Sequence, residues 1–157
     1  MKTFSTGILL GLFGAVAVSV SFAAQWPTWV MFVAWVSFYI FGKTIITSLK
    51  AFLQIALGII MGLSIQLTGM FLSNYFGGLG LPVAVFLFIG SLAYISKIKL
   101  LSNIPAWFLG LIIFFGVHPE PEIITLVSLF IPIAAGFVFA FLNDKAMARV
   151  SLRTMQS

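Results

Sequence analysis

The stretch IITSLKAFLQIALGIIMGLSIQLTGM, positions 45–70, holds one charged residue, Lys50, in 26 positions. A bilayer core about 30 Å thick takes roughly 20 mainly apolar residues per helix, so this stretch is long and apolar enough to cross one. Its polar and small residues are ordered. Lys50, Gln54, Gly58, Gly62 and Gln66 recur every four residues and share one slowly drifting stripe of a helix. A Gln surrounded by hydrocarbon needs hydrogen-bond partners, so the stripe faces protein or water rather than lipid. Two roles stay open: close packing through Gly58-x-x-x-Gly62 with the amides as interhelical glue, or the lining of a conduit for a permeant.

Outward from this helix the chain repeats the same composition. Of 157 residues, 62% are apolar and 7% charged, whereas soluble domains are about a quarter charged. Six apolar stretches result, about Thr6–Ala23, Trp26–Gly42, Ile45–Met70, Leu79–Ile95, Leu100–Val117 and Glu122–Leu142. The expected fold class is therefore all-α, a polytopic membrane protein with six transmembrane helices forming one membrane domain over 1–157. The shorter stretches need snorkelling flanks or a locally thinned bilayer. Met1-Lys2, an apolar run and Ser21-Phe22-Ala23 resemble a signal peptide, but cleavage would destroy the symmetry described below, so this segment is expected to stay as helix one.

Threaded this way, Lys2, Lys43, Lys50, Lys97, Lys99, Lys145, Arg149 and Arg153 all fall on one side, and His118, Glu120 and Glu122 on the other. Positive residues mark the cytoplasmic side, which places both termini there and sets dual topology aside. The net charge of +5 is spread singly along that face, so anionic lipid headgroups, not nucleic acid, are the expected partner. In the basic tail 143–157, Lys145, Arg149 and Arg153 at i, i+4, i+8 suit a short amphipathic helix on the membrane; a frayed tail that only sets topology fits equally.

Offsetting the chain by 78 residues pairs Pro27 with Pro105, Trp29 with Trp107, Ile45-Ile46-Thr47 with Ile123-Ile124-Thr125, Phe52 with Phe130, Ile55-Ala56 with Ile133-Ala134, and Gly58 with Gly136. These are nine identities over the 38 positions Pro27–Ser64, where about three are expected by chance from such a biased composition. A weaker match at offset 76 brings Gly14 onto Gly90 and Ala17 onto Ala93. Residues 1–70 and 79–142 thus read as two three-helix repeats joined by the turn-rich stretch Leu72–Pro82. With an odd number of spans each, they enter the membrane from opposite sides. Such inverted repeats are characteristic of transporters and some channels, with the pathway at the repeat interface.

The remaining candidates follow from position. Ser128, Pro132, Gly136, Ala140 and Asp144 are the repeat mates of the helix-three stripe. Pro132 is expected to free a carbonyl near the middle of helix six, while Asn103 with Pro105, and Pro27, mark helix starts. Trp26, Trp29 and Trp107 suit interfacial anchors, although Trp29 and Trp107 also belong with the path candidates. Trp35, too deep for an anchor, is lipid-facing bulk or an aromatic constriction. Gly7, Gly11, Gly14, Ala15 and Ser19 form a packing face on helix one. His118, Glu120 and Glu122 read as outer-mouth polarity. Without Cys, and with one His and three acids, no catalytic constellation, metal site or cofactor motif is expected. The absence of a mid-helix acid favours passive over proton-coupled permeation.

Gly11-Leu-Phe-Gly-Ala-Val-Ala-Val-Ser19 and Leu100-Leu-Ser-Asn-Ile-Pro-Ala-Trp-Phe-Leu-Gly110 resemble the YcdZ-like family (domain of unknown function 1097). This resemblance covers nearly the whole chain. It implies a six-helix protein of the bacterial inner membrane with both termini inside, and supplies no substrate or catalytic residue. The function expected is a small channel or facilitator for a small neutral or weakly polar solute or ion. The alternative is a non-transporting structural or accessory protein that oligomerises, or binds a partner, through small-residue helix faces.

Overall fold

The computed structural model describes residues 2–120 and 122–155. Their order is α1 (Lys2–Ala23), α2 (Thr28–Phe41), α3 (Ile45–Phe76), a 3-10 turn (Gly77–Leu79), α4 (Gly80–Ile95), α5 (Ile104–Val117), α6 (Ile123–Ser128) and α7 (Phe130–Met155), with no strand among the described residues. Three helical segments are long and apolar enough to cross a membrane: Thr3–Ala23, Ile45–Ile95 counted through the 3-10 turn, and Ile123–Val150. The apolar helices α2 and α5 have 14 residues each, about 21 Å at 1.5 Å per residue.

Three boundaries differ from expectation. The stretch Leu72–Pro82 is not a loop: α3 continues to Phe76, and the chain turns through Gly77–Leu79 straight into α4. A Cβ on Gly80 would fall on the Ser73 backbone nitrogen and lie 2.7 Å from the Gly69 carbonyl oxygen, so glycine permits this tight hairpin. The sixth helix is broken at Leu129, and Pro132 is the third residue of α7 rather than its middle. There its missing N–H removes little, because the first turn lacks intrahelical acceptors. Finally, over its described residues 143–155 the basic tail continues α7, which runs unbroken to Met155. The side chains of Lys2 and Arg153, part of the one-sided charge pattern, lie outside the described residues.

The chain forms two compact units, residues 1–48 with 128–157, and residues 49–127. In the first, α7 packs on α2 and α1. A Cβ on Gly136 would fall on the Met31 carbonyl oxygen and come within 2.7 Å of the Ala34 Cβ, so the backbones of α7 and α2 meet there. Trp35 is buried, stacked between Phe32 at 5.9 Å and Phe139 at 6.1 Å; it is not lipid-facing bulk. From α1 this unit buries Ala17 and Ser21. Gly7, Gly11 and Gly14, expected as its packing face, have nothing within 4 Å of an added Cβ.

In the second unit α3 meets α5 the same way. A Cβ on Gly58 would fall on the Trp107 carbonyl oxygen, 3.0 Å from the Gly110 Cα, and one on Gly110 would fall on the Ile55 carbonyl oxygen. Gly62 lies under the Phe114 ring, 2.6 Å from an added Cβ. Around this seam a core of Met61, Ile65, Ala84, Leu92, Trp107 and Leu111 closes on α4.

The two seams bury matching positions. The six buried residues of α2, at 30, 31, 34, 35, 37 and 38, become 106, 107, 110, 111, 113 and 114 on adding 76, which are the six buried residues of α5. Offsets of 75 or 77 recover three. Along α7 and the turn before it, buried Leu129, Pro132, Ile133, Gly136, Phe137, Ala140 and Asn143 fall on buried Ala51, Gln54, Ile55, Gly58, Ile59, Gly62 and Ile65 of α3 on subtracting 78.

Candidate functional site: two small-residue seams and their polar ends

The helix-three stripe is a packing surface along most of its length. Gln54 is 3% exposed and both its polar atoms are engaged: its Oε1 accepts the Asn103 backbone N–H at 2.7 Å, and its Nε2 donates to the Lys50 carbonyl at 3.2 Å. Asn103 is the N-cap of α5 without a side-chain cap bond. Gln54 therefore serves the backbone at the entry to α5, where unpaired N–H groups accumulate. Gly58 and Gly62 follow, closed against Trp107, Gly110 and Phe114 as described. Gln66 differs. It is half-buried, and no described residue bonds to its amide.

The positions 78 residues beyond that stripe are divided. Gly136 and Pro132 are buried in the α7–α2 seam, Ser128 is exposed at the end of α6, and Asp144 pairs with Lys43 at 3.3 Å. Trp107 and Trp29 occupy unlike environments. Trp107 is 5% exposed with its indole N–H donated to the Leu101 carbonyl at 3.1 Å, whereas Trp29 is 38% exposed. Trp107 is thus a core residue, not an interfacial anchor. In buried register its counterpart is Met31, and the Pro and Trp identities at offset 78 do not coincide with the structural match at 76.

His118 ends α5 in the left-handed region (φ 50°), its N–H bonded to the Phe114 carbonyl. Gly42 ends α2 with the same bond, to the Phe38 carbonyl. His118, Glu120 and Glu122 are exposed, as are Lys43, Lys50, Lys97, Lys99, Lys145 and Arg149. Among the described residues no cluster of three potential metal ligands occurs.

One constellation was not singled out by the sequence pattern. At the end of the α2–α7 seam the Tyr39 hydroxyl donates to Asn143 Oδ1 at 2.9 Å, and the Lys43 ammonium lies 4.8 Å from the Tyr39 ring centroid while pairing with Asp144. Asn143 is 0% exposed, and its Nδ2 is sealed without an acceptor. A neutral bond of this kind stabilises by about 1 kcal/mol, and an orphaned buried donor costs about 1–3 kcal/mol. A partly exposed ion pair adds about 0–1 kcal/mol. Holding and loosening terms at this end are therefore comparable. A count in fours from Gly136 lands on Asp144; the true stripe rotates back, since the helical period is 3.6, and lands on Asn143.

These observations define an all-helical protein with apolar helices suited to a membrane. The family model described as "Protein of unknown function (DUF1097)" matches residues 4–148, and the chain belongs to this family. No curated protein and no solved structure matches it.

Proposed function

We propose that the chain is a small membrane channel or facilitator with six spans, built as two inverted three-helix repeats whose third helices are exchanged. The observation that carries this reading is the burial register: α2 and α5 correspond at offset 76, and α3 and α7 at offset 78. In this arrangement α7 of the second repeat packs on α2 of the first, and α3 of the first on α5 of the second. Inverted repeats are a hallmark of transport proteins. The basic residues support a bacterial inner-membrane orientation with both termini in the cytoplasm, next to anionic lipid, and no catalytic role.

The seams consume Gln54, Gly58, Gly62 and Gly136, so the path is lined by polar groups that packing leaves over. Gln66 comes first: an unpaired amide on an apolar helix must meet water or a polar solute in the membrane. The solute is small and neutral or weakly polar, or an ion. Vesicles containing the purified chain are expected to pass members of a panel of small neutral solutes and ions faster than empty vesicles, and Gln66→Leu to reduce that flux with folding unchanged. Absence of flux across the whole panel overturns the transport reading.

A second reading rests on α1, whose Gly7, Gly11 and Gly14 are left open. There the chain is a structural or accessory protein that self-associates through a small-residue face. A Cβ at Gly11 has nothing within 4 Å, so Gly11→Leu is expected to keep the fold and shift the purified protein to a smaller assembly. An unchanged mass removes α1 as the interface.

A further inference from the structure

We propose that Tyr39, Lys43, Asn143 and Asp144 form a latch at the end of the α2–α7 seam, poised to open locally so that the Asn143 amide reaches water. Three contacts hold it shut: Tyr39 to Asn143 at 2.9 Å, Lys43 to Asp144 at 3.3 Å, and the Lys43 ammonium over the Tyr39 ring at 4.8 Å. One group pulls the other way. Asn143 Nδ2 is sealed in the closed seam with no acceptor, and a buried donor without a partner is destabilised until it finds one.

Water is close. Lys43 and Asp144 are 52% and 30% exposed at their side chains, so a small parting of the end of α2 from α7 suffices to wet the amide. The backbone allows it, since α2 ends at Phe41 and the chain leaves through Gly42 (φ 125°) and Lys43 (φ 56°), both outside the helical region, before α3 starts at Ile45. Deeper in the seam the helices cannot part as easily, because Gly136 seats α7 on the backbone of α2. That contact is the pivot. The matched positions of the other seam, Phe115 for Tyr39 and Ile65 for Asn143, are apolar, so the latch exists at one seam only.

The absence of cysteine makes the test direct. Ala140→Cys places a thiol at a fully buried position of α7 just before Asn143, and its maleimide labelling in lipid nanodiscs reads opening. Phe38→Cys, buried on the α2 side, is the second reporter, and Ile59→Cys in the other unit reads global unfolding. Slow labelling of Ala140→Cys or Phe38→Cys is expected, while Ile59→Cys stays unlabelled. Removing the ion pair with Asp144→Asn should speed labelling about threefold. Asn143→Leu, which removes the orphaned donor together with the Tyr39 bond, should leave it unchanged or slow it by up to about fivefold.

The latch is overturned if neither reporter reacts while the detergent-denatured chain reacts fully, if Ile59→Cys labels at the same rate, or if Asn143→Leu speeds labelling. Labelling needs no solute, so a chain that passes nothing in vesicles can still carry the latch, and the two outcomes are separable.

Discussion

The α3–α5 and α2–α7 seams bury the same positions, yet they put their polar groups at opposite ends. In the first, Gln54 in the third turn of α3 meets the Asn103 N–H at the start of α5, and the corresponding position of α7 is Pro132. In the second, Tyr39 near the end of α2 meets Asn143 midway along α7, and the corresponding positions are Phe115 and Ile65. Both polar ends adjoin basic residues: Lys50 bonds to Gln54 through its carbonyl, and Lys43 lies over Tyr39. The two seams therefore share their packing register but not the placement of their polar groups.

The strongest way to break the comparison is to fill both seams. Gly58→Leu and Gly136→Leu each drive a side chain into a facing carbonyl, and each is expected to destabilise by about 3 kcal/mol or more, read as lost thermal stability and monodisperse yield. If one is tolerated, the seams are not equivalent. The next contrast separates their polar ends. Gln54→Leu strands the Asn103 N–H and should cost about 1–3 kcal/mol, while Asn143→Leu removes an orphan and should be neutral or stabilise by up to about 1 kcal/mol. Equal losses in thermal melts would mean that the Asn143 amide has an acceptor.

Apolar run length and period made the helices legible in the sequence, and the Ile45-Ile46-Thr47 and Ile123-Ile124-Thr125 match located the third-helix register at offset 78. The second-helix register was not legible. Pro27 with Pro105 and Trp29 with Trp107 suggested the same offset, but the connections that follow differ by two residues: 42–44 after α2, 118–122 after α5. Helix starts attract proline and membrane ends attract tryptophan for local reasons, so identities of that kind arise without structural equivalence. The helix-three stripe meets protein at Gln54, Gly58 and Gly62. Which protein surface it met was a tertiary matter, decided by the glycine at 110 on a different helix. Likewise, nothing local distinguishes Gly7-x-x-x-Gly11, open along α1, from Gly58-x-x-x-Gly62, closed against α5.

The unlike tryptophans sharpen that point. Trp107→Phe leaves the Leu101 carbonyl without its donor inside the α3–α5 core and should cost about 1–2 kcal/mol. Trp29→Phe, at the partly exposed position on α2, should stay within about 0.5 kcal/mol. Matched losses in thermal melts would restore the equivalence that the identity at offset 78 suggested.

The smallest expected effect tests how strongly the Lys43–Asp144 pair is coupled. A double-mutant cycle of Lys43→Gln and Asp144→Asn should give a coupling of about 0.5 kcal/mol, falling toward zero at about 1 M salt, where the screening length is near 3 Å. Such a coupling is too weak to hold the fold, which the Gly136 contact already does, but comparable to the imbalance at the Asn143 amide beside it. A coupling that survives high salt would mean that the pair is shielded from water, and the polar end of this seam would then be as closed as the one at Gln54.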